Sequence, residues 1–526
     1  MEHIMRHDWW RRMWTLQEFV LAERPVVVVG ANKILWDDLV EAANNTFFSD
    51  DARDEMVRRK RQNIKANELV INNIMPPDEA EGIRGIETSI HLVPMWKDIM
   101  DAHKGRMTYQ LGFQDLDHHL IASDFLLKAR MRQAKDPRDK LYGLYHILQA
   151  CHYSLPRIDY SQAIEKIYED VTFSLVSQSK SWWILSHLFR AREASALEVP
   201  SWVPDFCSQI LWHQRAEFFT MIPHNVASQA IQWPHNRFYL ERLADGGICS
   251  SGIFLWTVTS VTSTLLPTPA LDKSFEEAFE ESRYEVLLKA SEDFLFTMAN
   301  WLNLMTNPDH LDLASTDDLA LQDQDTAAQA LRAISRTFLR TASDRSRLFG
   351  MQIENVMAES QFYKIISAIQ RCMSPSPTHP CLTCGISSAH ESDDAMQHFI
   401  QRTSNQATWL NFIVYMLYGC AVNRSMFRTS ALDRCPGHFG FCGGQPRPGD
   451  EIVLLPGASD PVIVRRRPSS NGVDYYRIVG VTSGIVGQSV PEKGHDDVGN
   501  FCSRFCEILD DADAASRHKP RSFYLQ

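Results

Sequence analysis

The chain lacks the features that mark exported, membrane-spanning and nucleic-acid-binding proteins. Its first eight residues contain no apolar core of the kind that a signal peptide needs. Its longest apolar stretch, residues 409–422, is too short to cross a bilayer and predicts a buried helix. The net charge of −12, from 53 basic and 65 acidic side chains, provides no basic excess for binding nucleic acid. We therefore expect a cytoplasmic protein whose partners are other proteins, with neither nucleic acid nor a membrane among them.

The sequence also lacks a disulfide framework and the common signatures of catalysis. Its 11 cysteines are scattered and odd in number, which is typical of a chain that keeps its thiols reduced. Cys381 and Cys384 have the spacing of two zinc ligands, but no second well-spaced pair accompanies them, so neither a metal nor another cofactor is expected. The glycine-rich residues 436–444 precede strands rather than a helix, which predicts a tight turn instead of a phosphate loop.

The N-terminal residues have the pattern of an α/β fragment. Residues 8–23 predict a helix that ends at Pro25, and one face of it carries Trp10, Met13, Trp14, Gln17 and Leu21. The continuous β-branched run Val26–Val29 predicts a strand covered on both faces, as in a parallel sheet. A second helix is expected from Trp36. Because an isolated strand leaves its ladder unpaired, its partner strands are expected upstream of Met1.

Two helix starts are marked clearly in the central region. Asp136 suits an N-cap, Pro137 the first helical position, and Asp139 the first turn, with a buried stripe behind them at Leu141, Leu144, Tyr145 and Leu148. Residues 159–161 cap another helix, whose stripe is Ile164, Ile167, Tyr168, Val171 and Leu175. These patterns predict that residues 51–210 form a helical region.

Strand patterns are concentrated later in the chain. Residues 247–266 favour a β conformation, residues 274–304 a helix, and the acidic residues 310–329 a mobile loop. Three strand-like runs, 451–455, 461–466 and 475–481, are separated by the turn signals Pro456-Gly457 and Asn471-Gly472. We expect an α+β fold that is mostly helical and ends in a small antiparallel β meander or barrel. The expected divisions are residues 1–50, 51–210, 211–400, 401–495 and a tail at 496–526.

Several short blocks, taken in order, resemble the fungal heterokaryon incompatibility (HET) family. They are Trp14–Glu18, Asp136–Leu144, Ile158–Ser161, Pro200–Asp205, and a last block from Phe427 through Gly449-Asp450 to Gly480. The family-motif residues are Trp14, Gln17, Glu18, Asp136, Pro137, Arg138, Asp139, Lys140, Gly143, Leu144, Gly449 and Asp450. The resemblance implies a recognition or signalling module in self/non-self recognition and programmed cell death. The sequence departs from the family after Gly480, and the Trp14–Glu18 block, which normally closes the HET domain, here opens the chain.

The resemblance leaves two alternatives open. HET domains are thought to be similar in fold to Toll/interleukin receptor (TIR) domains, in which the NAD-cleaving members carry an essential glutamate four residues after a tryptophan. Trp14 and Glu18 have this spacing and lie on one helix face, so a TIR-like NAD hydrolase using Glu18 is one alternative. The other is a truncated, inactive fragment, because the front of the HET domain is missing. No catalysis is expected, since the strands that would form a pocket precede Met1.

Overall fold

The chain divides into two units, each with its own core. The computed structural model describes residues 12–22, 24–43, 118–130, 132–188, 197–207, 238–244, 246–264, 293, 297, 301, 304, 423–430, 438–458, 460–468, 474–487 and 521–526. The N-terminal unit comprises Met1–Gln178, Asp205–Ile210 and Arg347–Gln352, and the C-terminal unit comprises Ser179–Pro204, Leu211–Ser346 and Ile353–Gln526.

Six helices and one hairpin are described in the N-terminal unit. The helices are α1 (Met13–Leu21), α2 (Trp36–Ala43), α3 (His118–Arg130), α4 (Asp139–Tyr142), α5 (Tyr145–Ala150) and α6 (Ile164–Ser179), and the strands are β1 (Val26–Val29) and β2 (Asn32–Leu35). The stripe predicted behind Asp136 is confirmed, since its four members are buried. Leu141 lies on α4, Tyr145 and Leu148 lie on α5, and Leu144 lies between these two short helices. The stripe of α6 is also buried, except that Ile164 is half-buried.

The prediction of a doubly covered parallel strand at Val26–Val29 is wrong. This strand pairs antiparallel with β2 through the two-residue turn at Gly30 and Ala31, and Gly30 adopts a φ of +61°. Val28 is 61% exposed and Leu35 is 57% exposed. The β-branched run has its partner six residues further along the chain, so its ladder is satisfied locally.

The face predicted for α1 also differs from the buried face. Met13, Leu16 and Val20 are fully buried, whereas Trp14 and Gln17 are half-buried and Glu18 is exposed. The spacing of the buried residues is still helical, but the buried face is rotated toward Leu16.

The C-terminal unit is built on a large antiparallel sheet. A 3₁₀ helix (Trp183–His187) precedes the strands β3 (Leu240–Arg242), β4 (Ile248–Val261), β5 (Arg424–Thr429), β6 (His438–Gly443), β7 (Glu451–Leu454), β8 (Val462–Arg467), β9 (Tyr475–Gly487) and β10 (Arg521–Leu525). The predicted meander of three strands is confirmed as β7, β8 and β9.

Hydrogen bonding closes six of these strands into a barrel. The antiparallel pairs run β4–β5, β5–β6, β6–β9, β9–β8, β8–β7 and back from β7 to β4. The long strand β4 serves both β7 and β5 because register shifts bend it at Phe254/Trp256 and Val258/Ser260. The barrel core is apolar and consists of Ile253, Leu255, Trp256, Val258, Phe427, Cys442, Ile452, Leu454 and Ile463.

The prediction of a mostly helical fold with a small β domain is therefore wrong. Of the described residues, 30% are helical and 32% are in strands. Residues 438–443, expected to lie in a tight turn, form β6, and residues 521–525, expected to lie in a tail, form β10. β10 pairs with β4 and β9, and β6 pairs with β9 as well as with its neighbour β5, so most of these pairings join strands that are not consecutive and local patterns do not indicate them.

Several sequence predictions fall outside the described residues. These are the loop at 310–329, the helix at 409–420, the turn at Asn471-Gly472, and the cysteines Cys381 and Cys384. In the part of the chain that the structure describes, no helix combines the length and apolar character needed to cross a bilayer.

Candidate functional site

Two of the family-motif blocks, about 120 residues apart in sequence, pack directly against each other. Met13 at the start of α1 donates its backbone N–H to Gln133 O at 2.9 Å. A Cβ on Gly143 would lie 3.0 Å from Met13 Cγ and 2.9 Å from Asp139 O, so only glycine allows this approach. Gln17 Nε2 donates to His146 Nδ1 at 2.8 Å. The Trp14–Glu18 block and the Asp136–Leu144 block therefore lie together, with contacts made through Met13, Gln133 and His146, which flank the two blocks. We call this set of residues the motif cluster.

Asp136 and Arg138 form the first interaction within the motif cluster. The Asp136 carboxylate accepts the backbone N–H of Arg138 at 3.0 Å, which caps the turn that leads into α4. The same carboxylate accepts Arg138 Nε at 2.9 Å and Nη2 at 2.8 Å in a bidentate ion pair. These side-chain hydrogen bonds from Arg138 lower the pKa of Asp136, and the pKa of Arg138 is raised by the same pair.

Arg138 also joins its block to the block at Ile158–Ser161. Its Nη1 donates to the backbone oxygen of Tyr160, and its guanidinium carbon lies 5.3 Å from the centre of the Tyr160 ring. The Tyr160 hydroxyl in turn donates to Asp139 Oδ1 at 2.7 Å. Burial and this contact with Asp139 raise the pKa of Tyr160 to about 12. The Asp136–Leu144 and Ile158–Ser161 blocks are thus held together by one set of side chains.

Tyr142 and Asp159 complete this connection. The Tyr142 hydroxyl donates to Asp159 O at 2.9 Å and accepts Asp159 N–H at 3.1 Å. The Asp159 carboxylate accepts the backbone N–H of Ser161 at 2.8 Å and its hydroxyl at 2.6 Å. These hydrogen bonds from Ser161 lower the pKa of Asp159. Asp159 therefore orders the turn before α6, whereas residues 159–161 were predicted to cap the helix itself, which begins at Ile164.

Lys140 caps the C-terminal end of α3 and has no role in a reaction. Its ammonium donates to Ala129 O and Arg130 O, each at 3.1 Å, and to Arg132 O, which satisfies carbonyls that the end of a helix leaves without partners. Burial lowers the pKa of Lys140 to about 8. Its three donors are all used by backbone oxygens, so its role is positional.

A buried tyrosine and a thiol lie beside the motif cluster. The Tyr168 hydroxyl donates its hydrogen to Pro137 O at 2.9 Å. Its oxygen also lies 2.9 Å from Cys207 Sγ, and in this second hydrogen bond the thiol is the donor because the hydroxyl hydrogen is already used. Burial raises the pKa of Cys207, which keeps the sulfur protonated. A thiol in this state is a poor nucleophile.

In the C-terminal unit, Gly449 and Asp450 fix the turn before β7. Gly449 adopts a φ of +91°, and its N–H donates to Val258 O at 2.8 Å. The Asp450 carboxylate is 3% exposed and accepts Nε and Nη2 of Arg465, both at 2.8 Å, and Arg447 N–H at 2.7 Å. A buried carboxylate with three donors is typical of a structural anchor.

The proposed catalytic pair is not assembled into a pocket by described residues. Glu18 is exposed, Trp14 is half-buried, and no hydrogen bond or ion pair joins the Glu18 carboxylate to another described residue. Among the described residues, His, Cys, Asp and Glu form no group of three or more that could hold a metal ion. Sequence reasoning missed the tyrosines 142, 160 and 168 as connecting residues, although all three lie within or beside the quoted motifs.

Comparison with known proteins identifies no relative of the chain. No family model, no curated protein and no solved structure matches the chain. The resemblance to the HET family therefore depends on the motif blocks.

Proposed function

We propose that the chain is a HET-family recognition or signalling module, which acts in the fungal cytoplasm through contacts with other proteins in self/non-self recognition and programmed cell death. The observation that supports the proposal is the motif cluster. Arg138, Asp139 and Tyr160 join the Asp136–Leu144 block to the Ile158–Ser161 block, and Gly143 lies against Met13, which directly precedes the Trp14–Glu18 block. Short blocks that matched by chance would have no reason to meet.

The chemistry of the cluster favours binding over catalysis. Its carboxylates cap turns or accept arginine and tyrosine donors, its lysine is used by backbone oxygens, and its nearest thiol is protonated. No described group there combines a free lone pair with a shifted pKa suited to general base work. The motif residues instead build a rigid support for a surface that another protein contacts.

The first experiment measures cell death directly. The full chain is expressed from an inducible promoter in a filamentous fungus, and growth and membrane integrity are followed after induction. Arg138→Ala, which removes the link to Tyr160, is expected to abolish the response. Lys166→Ala is the matched control, because Lys166 is 47% exposed and, among the residues that the structure describes, it pairs with Glu169 and Asp170 on the surface of α6. Normal growth despite accumulation of folded protein would contradict the proposal.

A second experiment separates recognition from hydrolysis. Purified full chain is incubated with NAD, and the release of nicotinamide is measured beside Glu18→Gln. We expect both proteins to stay at the background rate, because Glu18 is exposed and catalysis needs a carboxylate in a pocket that excludes water. Nicotinamide release by the unaltered chain that is absent in Glu18→Gln would contradict the recognition module and favour the NAD hydrolase.

A further inference from the structure

Four arginines lie close together on the neighbouring strands β8 and β9. Arg465, Arg466 and Arg467 are consecutive at the end of β8, and Arg477 lies near the start of β9. In the antiparallel pairing, Arg465 lies directly opposite Arg477, and Arg467 lies directly opposite Tyr475. Residues directly opposite each other, and residues two apart along a strand, share one face of a sheet. Arg465, Arg467 and Arg477 therefore share a face with Tyr475, and Arg466 belongs to the other face.

Carboxylates of the chain neutralise two of these four arginines. The buried carboxylate of Asp450 accepts Nε and Nη2 of Arg465, both at 2.8 Å. On the other face, the carboxylate of Asp474 forms an ion pair with Arg466. One carboxylate thus suffices for one guanidinium in this part of the sheet.

The other two arginines, Arg467 and Arg477, keep their charges uncompensated within the described part of the chain. Both are exposed, and neither side chain makes a hydrogen bond or an ion pair with another described residue. They are diagonal neighbours across the pair of strands, a position that places residues about 7–8 Å apart. Two positive charges at neighbouring positions repel each other, and an anion bound between the two guanidinium groups would remove this repulsion.

Aromatic side chains continue the same face away from Arg467. Tyr475 lies beside Arg467, and Tyr524 in β10 lies beside Tyr475, with the two ring centres 6.1 Å apart. Both tyrosines are half-buried. The first carboxylate along this row is that of Glu241 in β3, beyond Cys249 in β4, which is four strand spacings or roughly 19 Å from Arg467. Two guanidinium groups therefore border a pair of aromatic rings with no nearby carboxylate in the row.

These groups match the chemistry of a phosphorylated tyrosine. Two guanidinium groups that reach the same point suit a group with two negative charges, and a phosphorylated side chain carries nearly two at pH 7. An aromatic ring next to the phosphate would pack against the tyrosine pair in an edge-on or offset contact. A nucleic acid also combines phosphates with rings, but the net charge of −12 repels a polyanion.

We propose that Arg467 and Arg477, with Tyr475 and Tyr524 beside them, form a binding site for a phosphotyrosine side chain of a partner protein. The two arginines hold the phosphate through charge-assisted hydrogen bonds, and the tyrosine pair receives the ring. The inference does not depend on the proposed family, since it uses only the contacts of the C-terminal unit.

The first test measures the binding of a labelled peptide to the full chain by fluorescence anisotropy. The probe is a short peptide of glycine and serine around one phosphotyrosine. Arg467→Gln and Arg477→Gln should each weaken its binding by about tenfold or more, because each removes one of the two guanidinium groups. Arg466→Gln is the matched control, since it removes the same charge from the opposite face, where Asp474 neutralises it, and it should bind like the unaltered chain. Equal losses in all three variants, or no saturable binding by the unaltered chain, would overturn the proposal.

A control for folding accompanies these variants. The urea midpoints of Arg467→Gln and Arg477→Gln should be no lower than that of the unaltered chain, because each substitution removes a repulsion between exposed charges. A loss of binding at an unchanged midpoint is then a loss of the site itself.

The second test changes the ligand and keeps the unaltered full chain. The same peptide with unphosphorylated tyrosine should show no saturable binding, and the peptide with phosphoserine, which lacks the ring, should bind about threefold more weakly or worse. Equal affinity for phosphoserine and phosphotyrosine would overturn the assignment to phosphotyrosine. Tighter binding of a single-stranded oligothymidylate or of phosphatidylserine vesicles, lost in Arg477→Gln, would overturn the partner protein in favour of a nucleic acid or a membrane.

Discussion

Leu144 shows how a motif residue acts through packing. It is fully buried where α4 ends and α5 begins. Leu144→Ala is expected to lower the free energy of unfolding by about 2–5 kcal/mol, because a cavity adds to the lost apolar transfer energy. Ile158→Ala, at a position that is 41% exposed, is the control and should change it by about 0.5 kcal/mol or less. Urea unfolding of both variants measures the difference, and equal effects would contradict the placement of Leu144 in the core.

Asp136 makes stability depend on pH through its pair with Arg138. The pKa of Asp136 is lowered from its ordinary value of 3.8, mainly by the hydrogen bonds from Arg138, so the folded state favours the charged carboxylate. The stabilisation is therefore present above the unfolded pKa and is lost as the pH falls through the lower, folded pKa. As the pH falls below the ordinary carboxyl pKa of 3.8, the free energy of unfolding should decline more steeply in the unaltered chain than in Asp136→Asn.

The same comparison controls for the other carboxylates. Asp159 has a lowered pKa as well, caused by its hydrogen bonds from Ser161, but it titrates in both proteins and cancels in the difference. Urea midpoints at a series of pH values provide the measurement. Profiles that run parallel would mean that the Asp136–Arg138 pair contributes nothing in solution.

At the scale of elements, the exposed hairpin of β1 and β2 contradicts the buried strand that was predicted at Val26–Val29, and substitutions can test this difference. Val28 is 61% exposed, so Val28→Thr should leave the free energy of unfolding within about 0.5 kcal/mol of the unaltered value. Leu16→Ala in α1, at a residue with no exposed surface, should cost about 2–5 kcal/mol. If Val28→Thr lowered the free energy of unfolding by more than about 1 kcal/mol in thermal or urea unfolding, Val28 would instead lie in a buried strand, as the sequence predicted.

The elements that the sequence predicted correctly are those whose signals are local. The Asp136 carboxylate reaches a backbone N–H only two residues away, and the Asp159 carboxylate does the same at Ser161. The strands β7, β8 and β9 follow one another and pair with their neighbours, so alternation and turn residues sufficed for the meander. The hairpin could also have been recognised from Gly30 at the start of a two-residue turn, but four consecutive valines equally fit a buried strand.

What the sequence did not indicate is the pairing of strands that are distant in the chain. Val258 in β4 pairs with Thr429 in β5, and Phe523 in β10 pairs with Ser250 in β4. Nothing near either residue in the sequence specifies its partner, because strand propensity indicates that a segment can form a strand and not which strand it pairs with. The role of Arg138 was missed for the same reason, since its contact with Tyr160 requires the turn before α6 to fold back onto α4.

At the scale of the molecule, the two units have separate apolar cores. The motif cluster and Leu144 belong to the N-terminal unit, and the barrel core, including the fully buried Ile463, belongs to the C-terminal unit. Domains with their own cores often unfold as units, which makes a single free energy of unfolding an incomplete description. We therefore expect two transitions in scanning calorimetry of the full chain.

One substitution in the core of each unit assigns each of the two unfolding transitions to its unit. Leu144→Ala should lower the midpoint of one of them, and Ile463→Ala should lower the midpoint of the other, by about 2–4 °C for each kcal/mol lost in units of this size. Each substitution should leave the second midpoint within about 1 °C, because substitutions at sites without shared contacts act independently. The motif blocks of the N-terminal unit would then be stabilised separately from the barrel that holds β10. A single transition that both variants shift to the same extent would show instead that the chain unfolds as one cooperative body.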